Sequence, residues 1–124
     1  MQMMKSYKEL ETWKKSMQLV KEVYLTVKDF PKEELYGLTS QIKRAAVSIP
    51  ANIAEGVGRN YKKDTTQFLH ISRGSLYELE TLLNIAEMIE IIKTEVFNSF
   101  SANINECARI INGLINYYEK PELK

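Results

Sequence analysis

The sequence predicts an all-α protein, arranged as an antiparallel up-down-up-down four-helix bundle. Four stretches of the 124-residue chain repeat apolar side chains every three or four residues, which is the period of one helix face. None of these stretches shows the period-two alternation of a strand. The breaks between them are short, and short connections join antiparallel neighbours. Because the chain has the length of one domain and contains no linker or repeat, residues 1–124 are predicted to form a single domain.

The first helix is predicted from about Tyr7 to Asp29. Phe30-Pro31 ends it, because the residue before a proline is pushed out of the helical region. Gly37 marks the break before the second helix. The stripe predicted to face the core consists of Leu10, Trp13, Met17, Val20, Tyr24 and Val27.

The second helix is predicted from Leu38 to Gly56, with Gly56 in the left-handed conformation that ends many helices. Pro50 lies inside it and removes one backbone hydrogen bond, at a cost of ~3 kcal/mol in an ideal helix. We expect a kink at Pro50. The alternative is that Pro50 opens a separate short helix, but the apolar stripe keeps its phase across the proline. That stripe consists of Leu38, Ile42, Ala45, Ala46, Ile49 and Ile53.

The third helix is predicted from about Tyr61 to Ile89, with Asn60 as its N-cap. It carries two apolar stripes, so it is either central in the bundle or faces a second subunit. Gly74 costs about 1 kcal/mol in mid-helix, which is explained more easily if another group packs close over it. One stripe consists of Phe68, Ser72, Ser75, Leu79, Leu82 and Ala86, and the other of Leu69, Leu76 and Leu83.

The fourth helix is predicted to follow a turn at Ile91-Ile92-Lys93, with Thr94 as its cap and Pro121 beyond its end. Its apolar side chains again keep the helical period. The predicted buried residues are Val96, Phe97, Phe100, Ile104, Cys107, Ala108, Ile111, Leu114, Ile115 and Tyr118.

Composition excludes several classes of protein. With 44% hydrophobic and 27% charged residues, the sequence is typical of a globular protein. The single cysteine, Cys107, cannot form an intrachain disulfide and suits a reducing compartment. No apolar run approaches the ~18 residues of a membrane span, and the N-terminus lacks a signal-peptide pattern. We therefore expect a cytoplasmic protein with no membrane association.

Charge is distributed unevenly along the chain. The segment from Tyr36 to Arg73 has six basic and two acidic residues, a net charge of +4. The segment from Gly74 to Ala108 has one basic and six acidic residues, a net charge of -5. Folding could therefore present surfaces of opposite sign.

The basic segment supplies the candidate nucleic-acid-binding residues, because clustered arginine and lysine contact phosphates and an exposed tyrosine can stack on a base. The alternative is that these cations pair with carboxylates, including Glu80, within or between subunits. The candidates are Lys43, Arg44, Arg59, Tyr61, Lys62, Lys63 and Arg73.

A second set of polar residues lies near the apolar stripes and is predicted to be structural. Buried polar groups are nearly always hydrogen-bonded, so these side chains are expected to bond across helices or subunits. Asn52 is a candidate hydrogen-bond partner for the carbonyl of Ala46 or Val47 beside the proline. The set consists of Ser48, Asn52, Glu55, Ser75 and Glu78.

No arrangement of residues predicts catalysis. His70 is the only histidine and has no metal-ligand partner at a matching spacing. Cys107 has no histidine partner in the sequence pattern and fits the core. Glu78 and Glu80 are two positions apart and point in different directions on a helix. The protein is predicted not to be an enzyme and to use no metal or cofactor.

These motifs resemble the family of small helical-bundle proteins first found in intervening sequences of bacterial 23S ribosomal RNA genes. The resemblance covers nearly the first ninety residues, and the fourth helix is unspecific. It rests on Leu10-x-x-Trp13, on Phe30-Pro31-x-x-Glu34-x-Tyr36-Gly37-Leu38, on Gln41-Ile42-x-Arg44-Ala45-Ala46-x-Ser48-Ile49-Pro50-x-Asn52-Ile53-Ala54-Glu55-Gly56-x-Gly58-Arg59, and on Phe68-Leu69-x-Ile71-Ser72-x-Gly74-Ser75-x-x-Glu78-Leu79-Glu80.

The resemblance implies an up-down bundle that assembles into a ring of five subunits. A more distant relative, the accessory protein of diversity-generating retroelements, looks like the same pentameric barrel and binds nucleic acid and a reverse transcriptase. The resulting hypothesis is a homopentameric bundle that binds RNA or a nucleic-acid-handling partner through a basic surface. The alternative hypothesis is an oligomeric protein-protein adaptor without nucleic-acid contact.

Overall fold

The structure, a computed structural model, describes residues 6–121 and contains four α-helices and no strand within that range. The all-α prediction is therefore confirmed. The helices are α1 (Glu11–Val27), α2 (Leu38–Val57), α3 (Lys62–Met88) and α4 (Thr94–Glu119), with short 3-10 turns at Tyr7–Glu9 and Lys32–Glu34.

The helices pack around one apolar core. Helix α2 contacts α1 and α3, and α4 contacts α3 and α1, so each helix has two neighbours. The buried apolar side chains of all four helices form one cluster, in which Leu19, Ile49, Leu76 and Ile111 are almost fully inaccessible. As predicted, the α2 stripe is buried, although Leu38 is only partly covered.

The buried face of α1 only partly matches the predicted stripe: Val27 is buried, and Leu10, Trp13 and Val20 are partly covered against the core. Met17 and Tyr24 are 45% and 41% exposed, so their prediction as core residues is wrong. Two of the buried positions hold small polar residues, Thr12 and Ser16, which the search for apolar periodicity does not count. Ser16 is accommodated because its hydroxyl donates a hydrogen bond to the Trp13 carbonyl of its own helix, at 2.9 Å. The buried residues of α1 are Thr12, Ser16, Leu19, Val23 and Val27.

Helix α2 is continuous through Pro50, so the alternative of a new helix beginning there is wrong. Gly56 also lies inside the helix and has no left-handed backbone, contrary to prediction. The glycine is required by contact with α3: a Cβ at Gly56 would lie 2.8 Å from Phe68 Cβ and 3.1 Å from the Thr65 carbonyl oxygen. At the other end of α2, the Leu38 amide donates to Glu34 Oε1 at 3.3 Å.

Both apolar stripes of α3 are buried inside the chain, except that Phe68 is only partly covered. Leu69, Leu76 and Leu83 are fully inaccessible, so this second stripe is unavailable to another subunit. A Cβ added at Gly74 would meet no atom within 4 Å, so no group of the described chain packs over this glycine.

The helix caps differ from prediction by one residue. The N-cap of α3 is Tyr61 rather than Asn60, and that of α4 is Lys93 rather than Thr94. Neither cap makes a side-chain hydrogen bond to the helix. Within residues 6–121, no helix combines the length and apolarity needed to cross a membrane.

Candidate nucleic-acid interface

The predicted basic residues do not form one patch. Lys43 and Arg44 lie in the first half of α2, whereas Arg59 follows its end. At 1.5 Å of rise per residue, about 22 Å separates Arg44 from Arg59 along the helix. Arg73 lies farther along α3, at the boundary with α4. The cations lie in one segment of the sequence, but α2 and α3 distribute them along the length of the bundle.

The turn between α2 and α3 holds the largest group of candidates, namely Arg59, Tyr61, Lys62 and Lys63, all of which are exposed. Tyr61 is 71% exposed, so one face of its ring is available to a ligand. The Arg59 guanidinium lies 4.8 Å from the Phe68 ring centroid and donates to Glu55 Oε2 at 2.6 Å. Arg59 is therefore oriented by its own chain.

A hydrogen bond fixes this turn to the bundle. The buried Thr65 hydroxyl donates to the Gly56 carbonyl at 2.8 Å, joining the first turn of α3 to the last turn of α2. Together with the close contact at Gly56, this bond holds the basic turn in a defined position. A ligand at the turn would meet a largely preorganised surface.

Arg73 belongs to a polar network between α3 and α4. Its guanidinium donates to Asn112 Oδ1 at 2.8 Å and contacts His70 Nδ1 at 2.9 Å, while His70 Nε2 lies 2.7 Å from Glu119 Oε2. Because a guanidinium only donates, His70 Nδ1 accepts and its Nε2–H is directed at Glu119. These partners leave no signal in the sequence, because Asn112 is 39 residues from Arg73 and Glu119 is 49 residues from His70.

The polar residues of the α2–α3 boundary bond to each other. Ser48 and Ser75 share a hydrogen bond of 2.8 Å between their hydroxyls. Asn52 donates to both the Ser48 carbonyl, at 2.8 Å, and the Ser48 hydroxyl, at 2.9 Å. Asn52 therefore does not serve Ala46 or Val47. The buried Ser72 hydroxyl donates to the Ile49 carbonyl at 2.8 Å.

The carboxylates of α3 are separated. Glu80 accepts a hydrogen bond of 2.6 Å from the Ser101 hydroxyl of α4. Glu78 is exposed and, like Arg44, makes no hydrogen bond or ion pair with any part of the chain that the structure describes. Two residues of opposite charge are thus available on the surface of α2 and α3.

The groups considered for catalysis lie apart. Burial raises the pKa of the Cys107 thiol to about 11, so the thiol is protonated at neutral pH and is a poor nucleophile. Over the described range, no three histidine, cysteine, aspartate or glutamate side chains are grouped as a metal ion would require.

The fold and the polar contacts between its helices define an all-α four-helix protein whose candidate cations are spread along α2 and α3. Residues 8–113 match the family described as 23S rRNA-intervening sequence protein, and the chain belongs to this family. No curated protein matches it.

A solved structure shares the fold. It is the crystal structure of a protein of unknown function from the S23 ribosomal protein family of Bacteroides thetaiotaomicron VPI-5482. The likeness has a TM-score of 0.76 at 22% sequence identity and covers 84% of this chain and 97% of the other. At this identity the likeness concerns the fold alone.

Proposed function

We propose that this chain is a non-enzymatic, cytoplasmic up-down-up-down bundle that assembles into a homopentameric ring and binds RNA through the turn between α2 and α3. The observation that carries the RNA-binding role is the group of exposed residues at this turn: an aromatic ring with cationic side chains beside it.

The hydrogen bonds between helices support the up-down-up-down order. From Gly56 to Ile49 to Ser48 along α2, the partners advance from Thr65 to Ser72 to Ser75 along α3. The bonds between α3 and α4 show the same antiparallel order. From His70 to Arg73 to Glu80 along α3, the partners step back along α4 from Glu119 to Asn112 to Ser101. Pro50 lacks an amide hydrogen for the Ala46 carbonyl, which favours a bend in α2.

The outer side of α3 supports assembly. Ile71, Ile85 and Ile89 are 46%, 39% and 53% exposed, and their spacing puts them on one side of the helix. Gly74 lies on the same side and leaves room for a close neighbour. A second copy that covers this side would bury the isoleucines and explain a glycine that the chain itself does not require.

The test is RNA binding measured by fluorescence anisotropy with a labelled hairpin at 50 and 200 mM salt. Affinity of the parent should fall by orders of magnitude as phosphate contacts are screened. The double variant Lys62→Glu, Lys63→Glu should bind at least tenfold more weakly at low salt and show a shallower salt dependence.

The matched control is Lys14→Glu, Lys21→Glu, which makes the same charge change on the exposed side of α1. It should bind nearly as well as the parent. Equal binding by the Lys62, Lys63 variant and the parent would reject the turn as the RNA site. Absence of parental binding at 50 mM salt would reject RNA binding altogether and leave the adaptor alternative, which is favoured by the intrachain partners of Arg59 and Arg73.

A further inference from the structure

A cavity of about 330 Å³ lies between α1, α2 and the segment that connects them. We call it the lysine pocket, because Lys28, Lys32 and Lys43 are the charged residues of its lining. Its volume is at the lower limit of small-molecule sites, which begin at roughly 300 Å³.

The charge of the lysine pocket has one sign. Its lining includes three lysines and no carboxylate. The cavity between α1 and α4, by contrast, is lined by Glu22 and Glu106 as well as Lys15. Three ammonium groups without a neutralising acid in the same lining favour an anionic occupant.

The interior of the pocket is apolar. Val27 and Phe30 are 6% and 9% exposed and belong to the core cluster. Tyr24 and Leu35 also line the pocket but remain 41% and 48% exposed, so an apolar group in the pocket would remove part of their surface from water. Lys43 Nζ lies 5.0 Å from the Tyr24 ring centroid, which places one charge over an apolar wall.

Thr39 contributes an unsatisfied polar group to the same lining. The residue is 4% exposed, and its Oγ1 is buried without a hydrogen-bond partner in the described chain. Buried hydroxyls without a partner are rare in folded proteins. We expect a ligand with an acceptor oxygen in the pocket to give this hydroxyl the partner that it lacks.

We propose that the lysine pocket binds a small amphiphilic carboxylate, whose chain or ring lies against Val27, Phe30 and Leu35 and whose carboxylate is held by the lysines. An apolar interior with a few polar groups that fix orientation is the usual composition of a small-molecule site. The proposal is independent of the ring and of RNA binding at the α2–α3 turn. Lys43 is the one residue that also belongs to the predicted RNA-binding set.

The experiment is an NMR titration of the 15N-labelled full chain with three eight-carbon probes: octanoate, octanol and octylammonium. Octanoate should shift the amide signals of residues 24–43 selectively. Octanol, which has the chain without the charge, should bind at least tenfold more weakly, and octylammonium should produce no localised shift. A site that discriminates between head groups by their charge, at constant chain length, is thereby separated from non-specific apolar binding.

The variant Lys28→Gln, Lys32→Gln, Lys43→Gln should lose at least tenfold in octanoate affinity while its amide spectrum remains that of a folded chain. The control Lys14→Gln, Lys21→Gln should bind octanoate like the parent. Thr39→Val should weaken octanoate binding several-fold.

Three results would overturn the proposal. One is equal affinity for octanoate and octanol. Another is undiminished octanoate binding by the variant in which Lys28, Lys32 and Lys43 are replaced by glutamine. The third is displacement of octanoate by an RNA hairpin whose own shifts fall on residues 24–43, which would assign the lysines to phosphate binding.

Discussion

At the scale of single residues, Gly56 shows how a missing side chain can determine packing. Its hydrogen atom leaves room for the Thr65 carbonyl and the Phe68 side chain of α3. The Gly56 carbonyl in turn accepts a hydrogen bond from the Thr65 hydroxyl, so close approach and hydrogen bonding occur together. Because Gly56 follows an apolar stripe, the sequence predicts a helix end there. Spacing along the chain contains no information about the distance to another helix, so it does not indicate the close contact with α3.

We predict that Gly56→Ala lowers the free energy of unfolding by about 1 to 2 kcal/mol, because overpacking outweighs the gain of about 1 kcal/mol in helix propensity. The measurement is urea denaturation followed by circular dichroism. Gly113→Ala is the matched control, since a Cβ there meets no atom within 4 Å, and it should stabilise the chain. A Gly56→Ala variant as stable as the parent would show that α3 moves aside without cost.

At the scale of elements, the helix ends contain features that composition did not reveal. Helix α3 ends in a Schellman-type turn: the Ile91 amide donates to the Ala86 carbonyl at 2.8 Å, and the Glu90 amide donates to the Glu87 carbonyl at 3.0 Å. This geometry puts Glu90 at a φ of 65°, in the left-handed region. Glycine is the usual residue at this position, so a glutamate there gives no sequence signal for the turn.

Replacing Glu90 with glycine should therefore raise the free energy of unfolding by about 0.5 to 1 kcal/mol, because left-handed backbone costs an L-residue roughly 1–2 kcal/mol and glycine loses more chain entropy on folding. Glu87→Gly makes the same chemical change three residues earlier, inside α3. It should destabilise by roughly 1 kcal/mol. Thermal unfolding of the two variants beside the parent checks the sign, and a destabilised Glu90→Gly would contradict the strain.

For a helix with a continuous apolar stripe, the sequence predicted the buried face well. It predicted the contacts between helices less well. For α4, the predicted core residues Phe100, Ile104 and Ile111 are buried, because a stripe of large apolar residues leaves one choice of face. Helix α1 offered two choices, and its inward face contains Ser16, which periodicity does not count as apolar.

The candidate sites show the same division between position along the chain and position in space. The sequence identified the cations of the α2–α3 turn, which are neighbours along the chain. It did not indicate that Arg73 meets Asn112 or that Lys28, Lys32 and Lys43 line one cavity. Those groupings arise from the packing of separate helices, and periodicity gives the face of each helix without its neighbour.

At the scale of the whole molecule, the remaining exposed apolar surface bears on assembly. Since the second α3 stripe is already buried, an interface between copies requires another surface. Ile71 and Ile85 on the outer side of α3 meet this requirement, and the exposed Arg44 and Glu78 offer opposite charges on the neighbouring surface of α2 and α3. A stable interface needs roughly 800 Å² from each partner, which is more than the isoleucines alone provide.

We therefore predict that the parent chain is a pentamer by native mass spectrometry and light scattering, and that Ile71→Asp, Ile85→Asp converts it to a folded monomer. A buried aspartate at the interface would lose hydration without gaining a partner, whereas in the monomer both positions face water. The control Met17→Asp, Leu25→Asp changes two comparably exposed apolar residues of α1 and should remain pentameric. A parent that stays monomeric at high concentration would reject the ring, while an assembled parent whose Ile71, Ile85 variant also assembles would place the interface elsewhere.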